Sequence, residues 1–432
     1  MAKDQAADVE QYFSALSPSA NTVVGVEGVG RMRSAELLAR LGNPQDALRV
    51  IHVAGTAGKG SVSVLISAIL AAHGWRVGTY LSPHVYSWFE RFQLDGRLSS
   101  AMELAPAVAA VRTQEVELSA GPLGPVTMFE AATATAFEWF RDRQVEYAVI
   151  ETGLGGLHDA TNTVTRADKL AVLTRIGLDH TAILGETLQE IASQKAGILP
   201  VGGAAVAIRS GAQADRTIAD VAAHRRCALD QLSDEQAQAL CTDTVVGPAG
   251  PYQRINAGLA LAGATHLARR DGWALNPAKT SAALREVRLP GRFERCRWQG
   301  HDLVLDGAHN RVKLAALTEA VGENWPGSKV VWVLLFKADK DVDDAMEVVA
   351  PTAAAVVATE YGTVGIDAGR GRGLPAIEVA AAARRAGIAP ALTEPSLEKA
   401  LNAAIALAGR SMPVIVSGSF YAVADAATVL AR

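Results

Sequence analysis

Gly58-Lys59-Gly60-Ser61 sets a cation between two glycines, with a hydroxyl directly after. Glycines let successive backbone N–H groups turn inward as a concave anion nest. A lysine there can reach the terminal phosphate of a nucleotide, and a serine hydroxyl sits where magnesium is commonly met. Before the turn, Val50-Ile51-His52-Val53-Ala54 reads as a strand. After it, Val62, Leu65, Ile66, Ile69 and Leu70 recur at helical spacing and predict a helix from about Ser61, whose N-terminus adds partial positive charge. A glycine-rich turn alone is often just a tight connection; strand before and helix after favour a phosphate. The spacing G-x-x-G-K-G-S is shorter than the G-x-x-x-x-G-K-[ST] of ordinary phosphate loops.

In a parallel sheet the loops at the carboxyl ends of the strands converge, and ligands bind there. "TYLSPH" delivers Ser82 and His84 to that edge, "EYAVIETGLGG" delivers Glu151, and "LAVLTRIGLDH" delivers Asp179 and His180. A carboxylate ending an apolar strand suits Mg²⁺, which wants hard oxygens and keeps several waters. The same residues also read as a turn-capping carboxylate and a hydrogen-bonded loop histidine. Lys195, within "GETLQEIASQKAGIL", reads by residue type as a solvated lysine on a helix. Further along, "VLDGAHN" ends a strand with Asp306 before Gly307-Ala308-His309-Asn310, a turn that either binds something or starts a helix, and "VIVSGSFY" repeats the arrangement with Ser417, Gly418 and Ser419.

The elements that must position these groups are α/β. Strand-like runs alternate with Ala/Leu-rich helical patterns from residue 50 onward, as in parallel sheets covered by helices. "RVIHVAG", "EYAVIET", "KLAVLTRIG" and "AAVAI" form one set; "HDLVLDG", "KVVWVLLF", "AAVVATE" and "MPVIVSGS" form another. The helical pattern between them stops at Leu289-Pro290-Gly291, which puts a domain boundary near residue 294: a domain over 1–294 and a smaller one over 295–432. "RSAELLARLGNPQDA" predicts a helix closed by Gly42 and Pro44.

At 432 residues two domains are expected, and 49 % hydrophobic with 20 % charged residues fits a soluble globular class. A net charge of −4 without a basic stripe speaks against nucleic acid. Cys227, Cys241 and Cys296 show no C-x-x-C spacing, which suits a reducing compartment. "MAKDQAADVEQYFSAL" carries acids where a secretory signal needs a basic region, and no apolar stretch suffices for a membrane span. A cytoplasmic location follows as the expectation.

"HVAGTAGKGSVS", "YLSPHVYSWFER", "MFEAATATAFEWF", "ETGLGGLHDATN", "IGLDHTAILGETLQEIASQKAGI", "YQRINAGLALA", "LPGRFE", "LDGAHN" and "VSGSFY" occur in the order found in one family. From about Gly25 to Ala427 the chain resembles the folylpolyglutamate synthase/dihydrofolate synthase branch of the Mur ligase superfamily. The resemblance implies an N-terminal phosphate-loop ATPase domain with a mostly parallel sheet and a smaller Rossmann-like glutamate-ligase domain. It implies an ATP-dependent ligase that phosphorylates a carboxylate and lets the amine of L-glutamate displace phosphate, releasing ADP. Domain closure would align the reactants and exclude water.

Residue by residue, the resemblance puts Ala57, Gly58, Lys59 and Gly60 around the triphosphate and Ser61 beside its magnesium. Ser82, Glu151 and His180 match magnesium ligands, and Lys195 matches a carbamylated lysine serving a second magnesium, against its reading by residue type. Potassium is a further candidate cation. Asn256, Arg292 and Asp306 match nucleotide contacts, and His309 and Ser419 match positions holding glutamate. Lys59, Lys195 and His309 are the implied catalytic groups, while the pteroate or folate acid would lie near Phe129 and Glu130 and along His158, Asp159 and Ala160. The family suggests a monomer with small-molecule substrates only.

The chain departs from the pattern at Ala57, where relatives have Asn, and at Leu157-His158, where they read Arg-Leu. Leu157 removes a cation and His158 brings an imidazole to the segment expected on the acid. Neutral drift is one reading; a non-folate carboxylic acid is the other. A nucleotide-binding protein without turnover is a third, but it would not need Lys59, Glu151, His180 and Lys195 together.

Overall fold

The computed structural model describes residues 2–17, 28–361 and 373–431; Gly25, where the resemblance begins, lies outside them. The chain forms two compact units, Met1–Gly247 with Arg254–Val287, and Pro248–Gln253 with Arg288–Arg432. The boundary read at residue 294 falls a few residues inside the second unit. The reason is local pairing: Gly307 N–H donates to Gly291 O (2.9 Å), and Phe293 N–H donates to Asp306 (2.7 Å).

Among the described residues the first unit carries an eight-stranded sheet. Its strands are β1 (Arg49–Ala54), β2 (Val77–Tyr80), β3 (Phe92–Leu94), β4 (Arg97–Leu98), β5 (Tyr147–Glu151), β6 (Leu170–Leu173), β7 (Ala204–Ile208) and β8 (Ala228–Leu232). The order is β4-β3-β2-β5-β1-β6-β7-β8, and only the pairings of β2 with β3 and of β3 with β4 are antiparallel. Val53 of β1 pairs with Glu151 of β5, and Ala54 pairs with Leu173 of β6. The carboxyl ends of three neighbouring strands thus emerge side by side. Behind the glycine turn the helix Lys59–Ala72 buries Val62, Leu65, Ile66, Ile69 and Leu70, the face its periodicity predicts. Each such side chain contributes about 1.5–3 kcal/mol by leaving water. The helix Val29–Arg40, the second in the chain after Ala2–Ala15, stops at Leu41, and Gly42 turns the chain with φ +78°.

Among the described residues the second unit holds a six-stranded sheet of β9 (Glu294–Trp298), β10 (His301–Leu305), β11 (Val330–Leu334), β12 (Ala353–Ala358), β13 (Ala391–Thr393) and β14 (Val414–Ser417). The order is β13-β12-β11-β14-β10-β9, parallel except for β9. Its core gathers Trp332, Leu334, Phe336, Val356 and Ile415. Among the described residues no helix is long and apolar enough to cross a membrane.

Candidate functional site

Between β1 and the helix Lys59–Ala72 the chain runs through Gly55-Thr56-Ala57-Gly58, and Gly58 takes a left-handed conformation (φ +92°) as the helix N-cap. The helices beginning after Ser100, Thr127, Thr187 and Ser233 are each closed by a side-chain oxygen in a capping box, whereas Gly58 offers none. The first helical hydrogen bond runs from Val62 N–H to Gly58 O (2.9 Å). The N–H groups of Lys59, Gly60 and Ser61 therefore have no helical carbonyl behind them, the arrangement that receives a phosphate. A Cβ at Gly58 would lie 2.6 Å from Asn256 Oδ1 and push that side chain aside, which places Asn256 against the turn. Ala57 is a correction to the expected cradle. Its N–H and that of Thr56 donate to Arg175 O (3.3 and 2.8 Å), so the nest begins at Gly58.

Two lysines converge on the turn. Lys59 Nζ and Lys195 Nζ each donate to Gly55 O, both at 3.1 Å, and Lys195 is only 4 % exposed. The solvated-surface reading of Lys195 is overturned by that burial. Thr56 was not singled out from sequence. Its hydroxyl donates to Gly177 O (2.9 Å) and accepts from Gly177 N–H (3.1 Å), tying the turn to the loop that carries Asp179 and His180. A Thr56→Val variant keeps the shape and strands both Gly177 groups, at about 1–3 kcal/mol. Steady-state kinetics should show kcat lowered by roughly 10- to 100-fold, with Thr56→Ser close to the parent. Equal kcat in Thr56→Val would dismiss the tie.

Glu151, at the end of β5, is 3 % exposed and accepts the backbone N–H of Ser82 (3.0 Å). Ser82 and Glu151 are thus neighbours, a hydroxyl and a carboxylate of the hard-oxygen type. His180 has φ +51°, and its exposed ring stands 3.8 Å from Asp179, which also accepts the His180 N–H. No cluster of three His, Cys, Asp or Glu that could hold a metal occurs among the described residues. Mg²⁺ does not require one, since it binds through one or two carboxylates, substrate phosphates and retained waters. Glu151 with Ser82, beside an uncapped helix start, fits that mode. His84 accepts from Arg91 Nε (2.9 Å), and burial, then the Arg91 charge, pushes its pKa down to about 3, so it stays neutral.

Of the residues expected on the acid, Glu130 is corrected. Its carboxylate is 1 % exposed, takes a bidentate pair from the buried Arg33 (2.8 Å to each oxygen) and accepts Thr127 N–H (2.9 Å). Asp159 is likewise turned inward, accepting from Leu154 N–H (2.7 Å) and Thr161 N–H (3.0 Å), and Ala160 is buried. These side chains shape the segment rather than line it. Phe129 lies at ring-contact distance from Tyr80 and packs over Gly153, and His158 stands against Gly28, all partly exposed except Tyr80. Leu157 packs on Gly197.

In the second unit β10 and β14 are parallel neighbours, so the turns after them lie side by side: Gly418 N–H (2.9 Å) and Ser417 Oγ (3.0 Å) both donate to Ala308 O. Asp306 receives Phe293 N–H and Ala308 N–H (2.7 and 2.8 Å). Burial outweighs those bonds and raises its pKa from 3.8 to about 6. The folded chain therefore holds this proton where the unfolded chain has lost it. The stabilising contribution, complete below about pH 3.8, is lost as the pH climbs through about 6. Urea unfolding of the full chain between pH 4.5 and 7 should show that downward component, roughly 3 kcal/mol at most, missing in Asp306→Asn. An unchanged slope in the variant would disprove it. His309 Nδ1 faces Gly307 O (2.8 Å) and Nε2 faces Lys313 Nζ (3.0 Å). Since an ammonium only donates, the ring is the Nδ1–H tautomer. Ser419 Oγ caps the helix Phe420–Leu430 through Ala422 N–H (3.0 Å). Arg292 stacks on Phe420 with its guanidinium carbon 5.0 Å from the ring centre.

A family model described as Mur ligase, glutamate ligase domain matches residues 291–420. The chain is 34 % identical over 334 residues to the dihydrofolate synthase/folylpolyglutamate synthase of Bacillus subtilis, covering 73 % of this chain and 76 % of that protein. It is similar to the crystal structure of Mycobacterium tuberculosis folylpolyglutamate synthase complexed with ADP and AMPPCP, with a TM-score of 0.86, 27 % identity and coverage of 100 % and 99 % of the two chains. It is also similar to E. coli FolC in complex with DHPP and ADP, with a TM-score of 0.79, 26 % identity and coverage of 98 % and 97 %.

Proposed function

The chain belongs to the folylpolyglutamate synthase/dihydrofolate synthase family, and on that premise we propose that it is an ATP-dependent ligase joining L-glutamate to dihydropteroate, to tetrahydrofolate polyglutamates, or to both. The observation that carries this reading is the uncapped start of the helix Lys59–Ala72, with two lysines on the Gly55 carbonyl just before it. A carboxylate is a poor electrophile until one of its oxygens is phosphorylated. In the first step an oxygen of the acid forms a bond to the γ-phosphorus, the bond to the β,γ-bridging oxygen breaks, and ADP leaves. In the second the glutamate nitrogen attacks the acyl carbon, phosphate departs with the C–O bonding pair, and the nitrogen gives up a proton.

The N–H groups of Gly58, Lys59, Gly60 and Ser61 would hold the phosphates, and Lys59 would follow the charge that develops on the transferred group. Glu151, Ser82, Ser61 and His180 are the residues we assign to Mg²⁺, which supplies charge neutralisation when bound. Carbamylated Lys195 would serve a second magnesium, with potassium a further candidate. In the second unit Asp306 and Arg292 are assigned to the nucleotide, and His309 and Ser419 to the incoming glutamate; Asn256 joins the nucleotide set because it packs on Gly58. We read the first unit as the ATPase domain, the second as the glutamate-ligase domain, and the protein as a cytoplasmic monomer acting on small molecules.

The test is ADP release from purified protein with MgATP and glutamate on adding dihydropteroate or tetrahydrofolate. Silence with both acids, and ADP release with another carboxylic acid from a panel, would instead favour the second reading, a same-mechanism amide ligase on a non-folate acid. Leu157 and His158 are the residues that favour it.

A further inference from the structure

In the first unit three cations meet around Asn162, and among the described residues none of their hydrogen-bond partners is a carboxylate. Lys169 Nζ donates to Asn162 Oδ1 (3.4 Å), and Asn162 Nδ2 donates to Leu157 O (3.2 Å) and Gly197 O (3.0 Å). Arg31 Nη1 shares Leu157 O (3.4 Å), and Arg225 Nη1 shares Gly197 O (2.9 Å) and also reaches Leu199 O. Every acceptor is a neutral oxygen. Arg225 has a structural task, since its carbonyl partners close the C-terminal end of the helix Leu188–Ala196. Lys169 has none of comparable strength: it is 4 % exposed and makes one long bond to an amide. Buried ammonium groups are ordinarily paired. Burial first, then the charges of Arg225 and Arg31, draws the Lys169 pKa down to about 8. Beside the cluster opens a depression of about 340 Å³ lined by Leu157, Ser193, Gly197, Val221, His224 and Arg225, with the exposed Asp220 as the one acid on its wall.

We propose that this cluster is an oxyanion site, taking a single phosphate or carboxylate group against Arg225 and His224 within the field of Lys169 and Arg31. An oxyanion supplies the counter-charge that the described partners of these cations do not, and Asp220 limits the site to a small or partly zwitterionic ligand. The site is separate from the nucleotide's phosphates. Lys169 directly precedes Leu170, which pairs with Ile51, while the glycine turn follows Ala54, so roughly 15 Å of strand intervenes. The proposal does not rest on the ligase reading and can fail without it.

The experiment uses the full chain saturated with Mg-AMPPCP, so that the glycine turn and its γ-phosphate position are filled. Inorganic phosphate is titrated in one arm and succinate in the other, each against sodium chloride at matched ionic strength, with calorimetric and thermal-shift readouts. Saturable binding is expected in at least one arm, and the arm that responds identifies the source. Lys169→Met and Arg31→Gln should weaken it tenfold or more. Without added anion, Lys169→Met should match or exceed the parent's thermal midpoint, because an uncompensated buried charge has been removed. Three results overturn the proposal: no binding beyond chloride in either arm, undiminished binding in both variants, or a lowered anion-free midpoint in Lys169→Met. If Lys169→Met does not fold, that counts as the third result, and Arg31→Gln still reads the first two.

Discussion

Replacing Lys195 by alanine should cut ADP release, with acid, glutamate and MgATP all saturating, by roughly 10³-fold. The expectation rests on where the side chain goes. Its Nζ is buried and shares the Gly55 carbonyl with Lys59, both at 3.1 Å. Two ammonium groups on one oxygen repel, by about 4 kcal/mol if they stand near 4 Å in surroundings of effective dielectric 20. Adding carbon dioxide to the neutral Lys195 amine, with loss of a proton, makes a carbamate and turns repulsion into attraction, while supplying oxygens for a cation. Two further readouts follow. If the proposed carbamate forms, the parent should lose rate in carbon dioxide-depleted buffer, and acetate or propionate should restore part of the variant's activity by standing in for it. Full turnover in Lys195→Ala would show that the lysine takes no part.

Gly58→Ala should lower ADP affinity by about 100-fold or more, measured calorimetrically, and destabilise the chain by about 1–3 kcal/mol. Two separate obstacles act on one methyl group. The backbone at φ +92° disfavours any Cβ by about 1–2 kcal/mol, and the Cβ would lie 2.6 Å from Asn256 Oδ1. Gly74→Ala supplies the control: φ is +89°, yet no atom lies within 4 Å of its Cβ. It should carry the backbone strain alone and bind ADP as the parent does. Parent-like ADP binding in Gly58→Ala would mean that the phosphates are held elsewhere.

Both variants concern groups of differing legibility. The strand, turn and helix around Lys59 are readable because apolar period and glycine spacing are local signals. Even so, the helix begins at Lys59 rather than Ser61, since the left-handed Gly58 already serves as its cap. Lys195 and Thr56 are unreadable by periodicity, because each is defined by a partner more than a hundred residues away. Glu130 is a different case: Thr127-x-x-Glu130 is a capping-box pattern, a local signal that assigns the carboxylate to the helix end. The β3–β4 hairpin carried its own signal in Asp95-Gly96, both residues at positive φ. β8 gave little, as Ala228–Leu232 is largely half-exposed and mixes polar with apolar residues.

The Arg33–Glu130 pair has a consequence for anyone seeking to retarget the acid this chain accepts. With both groups sealed from water, removing either member alone strands a charge and costs about 3–5 kcal/mol, a large part of what a typical domain has to lose. A library randomised at 130 would therefore be depleted by collapse before any new preference could register. Diversity placed at Phe129 and His158, which we propose lie near the acid and whose side chains keep some exposure, leaves that buried pair intact.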